Sequence, residues 1–386
     1  MARFSLDAVS LPGSAEGLRQ DVRDFLAGEI GSGRIRPHCD SWLSGWDAAF
    51  SRRLGARGWI GMTFPRQYGG TDAGALHRFV VTEELLAAGA PVAAHWIADR
   101  QSGPALLRFG TEQQRAEILP GIARGELYFA IGMSEPDAGS DLASVRTRAS
   151  RVDGGWLVSG AKLWTSGAHH AHFMITLVRT APAAGADRHA GLSQLIIDLA
   201  APGVQIRPIR LLTGEHHFNE VVLADVFVPD SRLLGRAGDG WHQVTSELAF
   251  ERSGPERILS TFPLLAAAVD QLTSQPDLGR AGKAALGAIL GRLWVLRQMS
   301  LAIAARLQAG EAPNIEAAVV KDLGTRFETA VVEAVRLLAP AEPDLASAAP
   351  LSRLLAEAIS HSPGFTLRGG TSEILRGIIA KGLIAP

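Results

Sequence analysis

The spacing of apolar positions changes twice along the chain. From residue 14 to about 123 it reads as helices: Gly17 to Leu26, Asp47 to Leu54, Leu76 to Ala88 and Thr111 to Ala123. Pro65, Gly69-Gly70, Gly103-Pro104 and Gly110 separate them as turn signals. From 126 to 233 the period shortens. Val204, Ile206 and Ile209 are interleaved with Gln205 and Arg207, and Phe173–Val178, Leu195–Ile197 and Val221–Leu223 are short β-rich runs punctuated by glycine. Short, evenly spaced strands predict an antiparallel barrel or sandwich. After Gly240 the helical period returns. Leu286, Ile289, Leu293, Leu296, Ile303 and Leu307 mark one long amphipathic helix, and Val320, Leu323, Phe327, Val331, Ala334 and Leu338 another. The expectation is an α+β multidomain chain: an N-terminal helical domain (1–125), a middle antiparallel β-barrel domain (126–233) and a C-terminal four-helix-type bundle (234–386).

Composition narrows the function classes. The chain has 386 residues, 47% hydrophobic and 20% charged, with a net charge of -1. That balance offers no basic stripe for nucleic acid and no patch for a membrane surface. The single cysteine, Cys39, excludes an intrachain disulfide, and a cytoplasmic location is the default expectation. Met1 to Leu11 carries Arg3 and Asp7 and does not read as a signal peptide. No uncharged apolar run reaches the ~20 residues of a membrane span.

Three short stretches carry candidate chemistry. Ile131 to Ser140, I-G-M-S-E-P-D-A-G-S, reads as a strand running into a small polar turn. Gly139 permits close approach by a phosphate or a ring edge, and Ser134 and Ser140 offer hydroxyls. An ordinary solvent loop has the same look when taken alone. Residues 160–167, G-A-K-L-W-T-S-G, place Trp164 beside Thr165 and Ser166: an aromatic wall with two hydroxyls, which suits an isoalloxazine ring. The stretch L-R-G-G-T-S-E-I-L-R-G-I, 367–378, sets two glycines and a threonine before a helix start. Such a corner lets a ligand approach free N–H groups, yet it holds no acid, base or nucleophile in the turn.

The pair S-E-P-D-A-G-S-D and K-L-W-T-S-G resembles the signature of the acyl-CoA dehydrogenase family. Further matching stretches are G-W-I-G-M-T-F-P-R-Q-Y-G-G (58–70), F-G-T-E-Q-Q-R-A-E-I-L-P (109–120), F-N-E-V-V-L-A-D-V-F-V-P (218–229), G-D-G-W (238–241) and G-G-T-S-E-I (369–374). The resemblance spans nearly the whole chain, and the helix–β–helix order is that family's. It implies FAD as cofactor. Met133 and Ser134 match positions at the flavin ring; Gly139 and Ser140 match positions near the ribityl-pyrophosphate and the CoA entrance. Trp164, Thr165 and Ser166 match the wall and flavin-edge contacts, and Thr371 and Glu373 match contacts after the G-G-T. The implied reaction removes an α-proton from an acyl-CoA by a carboxylate and passes the β-hydride to the flavin. Electrons then leave to an electron-transfer flavoprotein.

The sequence departs from the family at the base. Medium-chain members carry a glutamate immediately before the final G-T; here that position is Gly369. Isovaleryl and long-chain members use a helix at the start of the C-terminal bundle, where L-A-F-E-R-S-G-P supplies Glu251. A carboxylate partly desolvated by Phe250 would have its pKa raised toward working pH. Read without the family, Glu251 is a surface carboxylate paired with Arg252 or Arg257. Arg252 is open to three roles: substrate contact, a stabiliser of ionised Glu251, or a structural ion pair. Gly369 would hold the thioester carbonyl through its N–H, with Gly370 beside the substrate. Two interface motifs of homotetrameric members, R-x-x-F-G and Q-x-F-G-G-x-G, are absent from 274–281 and 335–343.

That combination is similar to one subunit of the heteromeric α2β2 acyl-CoA dehydrogenases that act on steroid side chains in bacteria. The partner expected is therefore a second acyl-CoA dehydrogenase-like subunit. A homomeric dehydrogenase of a short or branched acyl-CoA, a catalytically silent structural subunit, and another flavin enzyme on the same fold remain as alternatives. His169, His170 and His172 lack metal-ligand spacing, so no metal is expected.

Overall fold

The computed structural model describes residues 4–183, 185, 187–274 and 279–384, with the backbone alone for 247–251. The chain divides into two compact units. One is built from Met1–Gly45, Gly74–Pro91 and Ala249–Pro386, the other from Trp46–Ala73 and Val92–Leu248.

The second unit holds the sheet: β1 (Phe129–Gly132), β2 (Arg148–Val152), β3 (Gly155–Lys162), β4 (Phe173–Arg179), β5 (Leu192–Asp198), β6 (Val204–Arg210), β7 (His216–Pro229) and β8 (Leu233–Leu234). The strand order is β6-β7-β3-β2-β4-β5-β8, with β1 also on β4. The pairing is mostly antiparallel, but β1 and β2 each run parallel to β4. The reason is connectivity: the β2–β3 hairpin lies between β1 and β4, so the chain returns by a crossover rather than a tight turn. Strand β6 ends the order, which is where Pro208 is tolerated, because an edge position needs no N–H there. One face buries Trp156, Val158, Met174, Val178, Leu195, Ile197, Val221, Leu223, Val226 and Val228 as one core. Each such side chain contributes about 1.5–3 kcal/mol on leaving water. Short helices, among them Ala48–Ala56, Gly103–Phe109 and Glu112–Ala123, complete the unit.

The first unit is helical. Gly279–Gln308 packs on Asn314–Leu338 and on Ala75–Ala87, and Asn314–Leu338 packs on Pro350–Phe365 and Ser372–Ile384. Most of the predicted stripes fall inward: Ile289, Leu296 and Ile303 are buried on one helix, Val320, Phe327 and Val331 on the other, whereas Leu323 faces outward and is exposed. Gly279–Gln308 is the one described helix long and apolar enough to cross a membrane, with 33% of its most apolar window buried. Arg292 and Arg297 interrupt it, so it holds no uncharged run of span length. Its Leu290, Trp294 and Val295 are exposed.

Candidate active site

The candidate residues fall into two groups, one in each unit. In the sheet-bearing unit, β1 delivers Met133 and Ser134, and β3 delivers Trp164, Thr165 and Ser166. Two loops that leave neighbouring strand ends would drift without a cross-tie. Lys162, the last residue of β3, supplies it. Its fully buried ammonium donates to Met133 O at 3.1 Å and to Glu135 Oε1 at 2.8 Å. The Glu135 carboxylate also accepts from the N–H groups of Arg146 (2.6 Å) and Thr147 (2.9 Å). Glu135 and Ala138 exchange two backbone bonds and close the turn. Leu163 N donates to Ser134 O at 2.8 Å. One buried ion pair therefore fixes the S-E-P loop to the W-T-S turn. Burial pushes the Lys162 ammonium down to about 8 against the pull of Glu135, and Glu135 is held below its ordinary value by Lys162 and its hydrogen bonds. Both are charged at neutral pH.

Trp164 sits at φ 59°, a left-handed conformation costing about 1–3 kcal/mol for a side chain of this size, so the surroundings must hold it. They do so by reciprocal bonds one residue on: Thr165 N to Asn219 O at 3.0 Å and Asn219 N to Thr165 O at 3.1 Å. The result is an indole that is 53% exposed and set edge-on to Phe218, a flat wall presented to a ligand. Thr165 is buried, and its hydroxyl finds no hydrogen-bond partner among the protein atoms. A Cβ added to the exposed Gly139 would meet nothing within 4 Å, and Ser140 beside it is exposed. Met133 packs beside Leu142 and Trp241 on a small cluster around Ala138, Val145 and Val244. An aromatic wall, an unpartnered buried hydroxyl and an open glycine loop fit a flavin and its ribityl chain.

Behind Thr165, Asn219 gathers the histidines. Its Nδ2 donates to Thr165 O at 3.0 Å and lies 3.1 Å from His169 Nδ1, while Oδ1 lies 2.7 Å from His216 Nε2. His169 stacks between His170 and His216, and His170 packs on Trp46. Burial, then the two neighbouring imidazoles, push His169 down to about 4, so it is neutral. Among the described residues no group of three or more His, Cys, Asp or Glu is arranged to hold a metal ion.

In the helical unit the G-G-T corner is a left-handed turn, with Gly369 at φ 66° and Gly370 at φ 97°. Thr371 leads into the helix Ser372–Ile384, with Leu375 N bonded to Thr371 O at 3.0 Å. Glu373 is exposed in the first turn of that helix; a backbone hydrogen bond and the Thr371 hydroxyl hold its carboxyl below the ordinary range. Arg252 ends the helix Gly240–Arg252 and is buried, its guanidinium against Gly370: a Cβ there would lie 3.3 Å from Arg252 Nη2. Glu251 stands one residue earlier on the same helix, and its side chain lies outside the described residues, as do residues 275–278 of the region that lacks the first interface motif.

Sequence reasoning missed three residues that shape these groups: Glu135, Lys162 and Lys321. A lysine closing an apolar strand, and another at an inward position of an amphipathic helix, were the signals available.

In the sheet-bearing unit a strained tryptophan wall and a pinned S-E-P loop suit a flat ring such as a flavin. In the helical unit a left-handed glycine turn opens a helix. The chain matches the N-terminal domain of acyl-CoA dehydrogenase at residues 14–126, the middle domain at 130–226 and the C-terminal domain at 238–384. It is 36% identical to acyl-CoA dehydrogenase FadE29 of Mycobacterium tuberculosis, over 88% of this chain and 88% of that one. It is 34% identical to FadE34 of the same organism over 86% of this chain, spanning 45% of that protein's length. Among solved structures it is similar to the Tcur3481-Tcur3483 steroid ACAD (TM-score 0.86, 27% identity, 99% of this chain and 100% of that one). It is also similar to the ChsE4-ChsE5 complex of Mycobacterium tuberculosis (TM-score 0.85, 28% identity, 98% and 100%). The chain belongs to the acyl-CoA dehydrogenase family, oxidoreductases acting on a CH–CH bond.

Proposed function

We propose that this protein dehydrogenates an acyl-CoA thioester at Cα–Cβ with FAD, and that the acyl group is bulky or steroid-derived. It acts as one subunit of a heteromeric enzyme and passes electrons to an electron-transfer flavoprotein. The observation that carries the reading is the pinned pair of loops: Lys162 bonds Met133 O and Glu135, which ties the Met133–Ser134 segment to the strand end that leads into Trp164–Ser166. Kinship with a steroid ACAD and with a two-component complex supports the substrate class and the partner.

In this reading Trp164, Thr165, Ser166 and the Met133–Ser134 segment would hold the ring end of FAD, and Gly139 and Ser140 its phosphate-bearing arm. By the family resemblance Thr371 and Glu373 would hold it too. FAD bound there would take up the β-hydride. The Gly369 N–H holds the thioester oxygen as it gains enolate character, which makes the α-proton acidic. Glu251 removes that proton. Arg252 steadies the glycine turn beside the substrate.

Reconstitution with a candidate second subunit tests the assignment. Glu251→Gln in this chain abolishes turnover and leaves flavin bound, whereas the same exchange at the equivalent helix of the partner leaves it intact. Full activity of Glu251→Gln overturns the base assignment and favours a structural role for this chain.

A further inference from the structure

Lys321 lies on the helix Asn314–Leu338 and is fully buried. Its Nζ donates to the carbonyl oxygen of Gly370 at 2.6 Å. The peptide plane between Gly370 and Thr371 is therefore fixed: its oxygen is bound on one side and the Thr371 N–H points to the other. Glycine at φ 66° followed by glycine at φ 97° would otherwise have several conformations of similar energy. The turn is anchored on both flanks. Upstream, the Arg368 guanidinium bonds the buried Asp40 carboxylate, bonds Ser260 Oγ at 3.2 Å and stacks over Trp42 at 4.5 Å. Downstream, Ser372 N donates to Thr366 O at 3.2 Å. Arg252 lies against Gly370 itself.

The helix that carries Lys321 is itself held in place. Gly324, one turn on, lets it approach so closely that an added Cβ would stand 2.2 Å from Arg257 O. Lys321 is thereby locked onto the segment that follows Arg252.

We propose that Lys321 is a positioning residue of the carbonyl-binding turn. Its buried ammonium clamps Gly370 O and fixes the direction of the turn's N–H groups, which the proposed mechanism sets against the substrate oxygen. The inference rests on the dehydrogenase reading of this corner, and the test keeps the two separable.

The test compares Lys321→Met and Lys321→Arg with the wild-type holoenzyme, reading kcat, KM, acyl-CoA binding, thermal midpoint and the primary isotope effect on α-deuterated substrate. Lys321→Met lowers kcat by roughly tenfold or more, less than the loss of a direct oxyanion donor. KM and acyl-CoA affinity stay within about threefold, and the isotope effect rises because proton removal becomes slower. Lys321→Arg recovers much of kcat. A Lys321→Met enzyme with unchanged kcat and isotope effect overturns the proposal, whatever its thermal midpoint. If Lys321→Met does not fold, Lys321→Gln decides. Its side chain is one atom shorter and does not hold Gly370 O as the lysine does: a lowered kcat with a raised isotope effect supports the proposal, and wild-type values overturn it. A wild-type holoenzyme that oxidises no acyl-CoA defeats the dehydrogenase reading instead.

Discussion

Glu328 is fully buried and bonds Ser260 N at 2.7 Å, and burial pushes its carboxyl up to about 7. Arg368 and the Ser260 bonds pull the other way, and Asp40 adds to the rise. The folded chain thus keeps a proton that the unfolded chain releases near the ordinary value of 4.5. The associated stability is full below pH ~4.5 and is lost as pH rises to ~7, on the order of 3 kcal/mol. Glu328→Gln removes that slope: melting followed against pH shows a flatter profile and a higher midpoint than wild type at pH 8. Parallel profiles would place the proton elsewhere. At the Lys162–Glu135 pair the arithmetic differs. Lys162→Met strands a buried carboxylate and costs about 3–5 kcal/mol in denaturant unfolding, much of which Lys162→Met/Glu135→Gln restores. These buried ionisable groups left only faint signals in the sequence. A charged residue in an amphipathic pattern reads as solvated, and only the packing shows that Lys162, Lys321 and Glu328 point inward.

The elements themselves were legible, because each carries its own period. Strands β4 to β7 fall on the runs at 173–178, 195–197, 204–209 and 221–223, and the two long helices on their stripes. Their pairing was not: nothing local in Phe129–Gly132 marks it as a parallel neighbour of β4, since that partner lies beyond a hairpin. The close contact at Gly324 was equally silent, because a glycine inside a helix reads only as a weak helix former. Gly324→Ala drives a methyl into Arg257 O and destabilises the helical unit by about 1–3 kcal/mol. Gly291→Ala on the neighbouring helix meets nothing within 4 Å and gains about 0.5–1 kcal/mol. Chemical denaturation of both variants checks the contrast; equal effects would mean that the close approach at Gly324 carries no cost.

For the whole molecule, the family motifs made the class legible where physics alone offered only polar loops. Segments distant in sequence, Met1–Gly45, Gly74–Pro91 and Ala249–Pro386, build one unit, while Trp46–Ala73 joins the sheet-bearing one. The G-G-T corner, which looked like a site lacking its base, becomes in this account the carbonyl-holding half of a site whose base is Glu251. The most direct measurement is anaerobic mixing of the FAD-loaded enzyme, with the candidate second subunit, and a panel of acyl-CoA thioesters, followed by flavin absorbance. The account predicts bleaching with at least one bulky acyl-CoA by the wild type. It predicts none by Glu251→Gln, although that variant still holds its flavin. A wild-type flavin that stays oxidised with every acyl-CoA, or a Glu251→Gln flavin that bleaches at the wild-type rate, would contradict it.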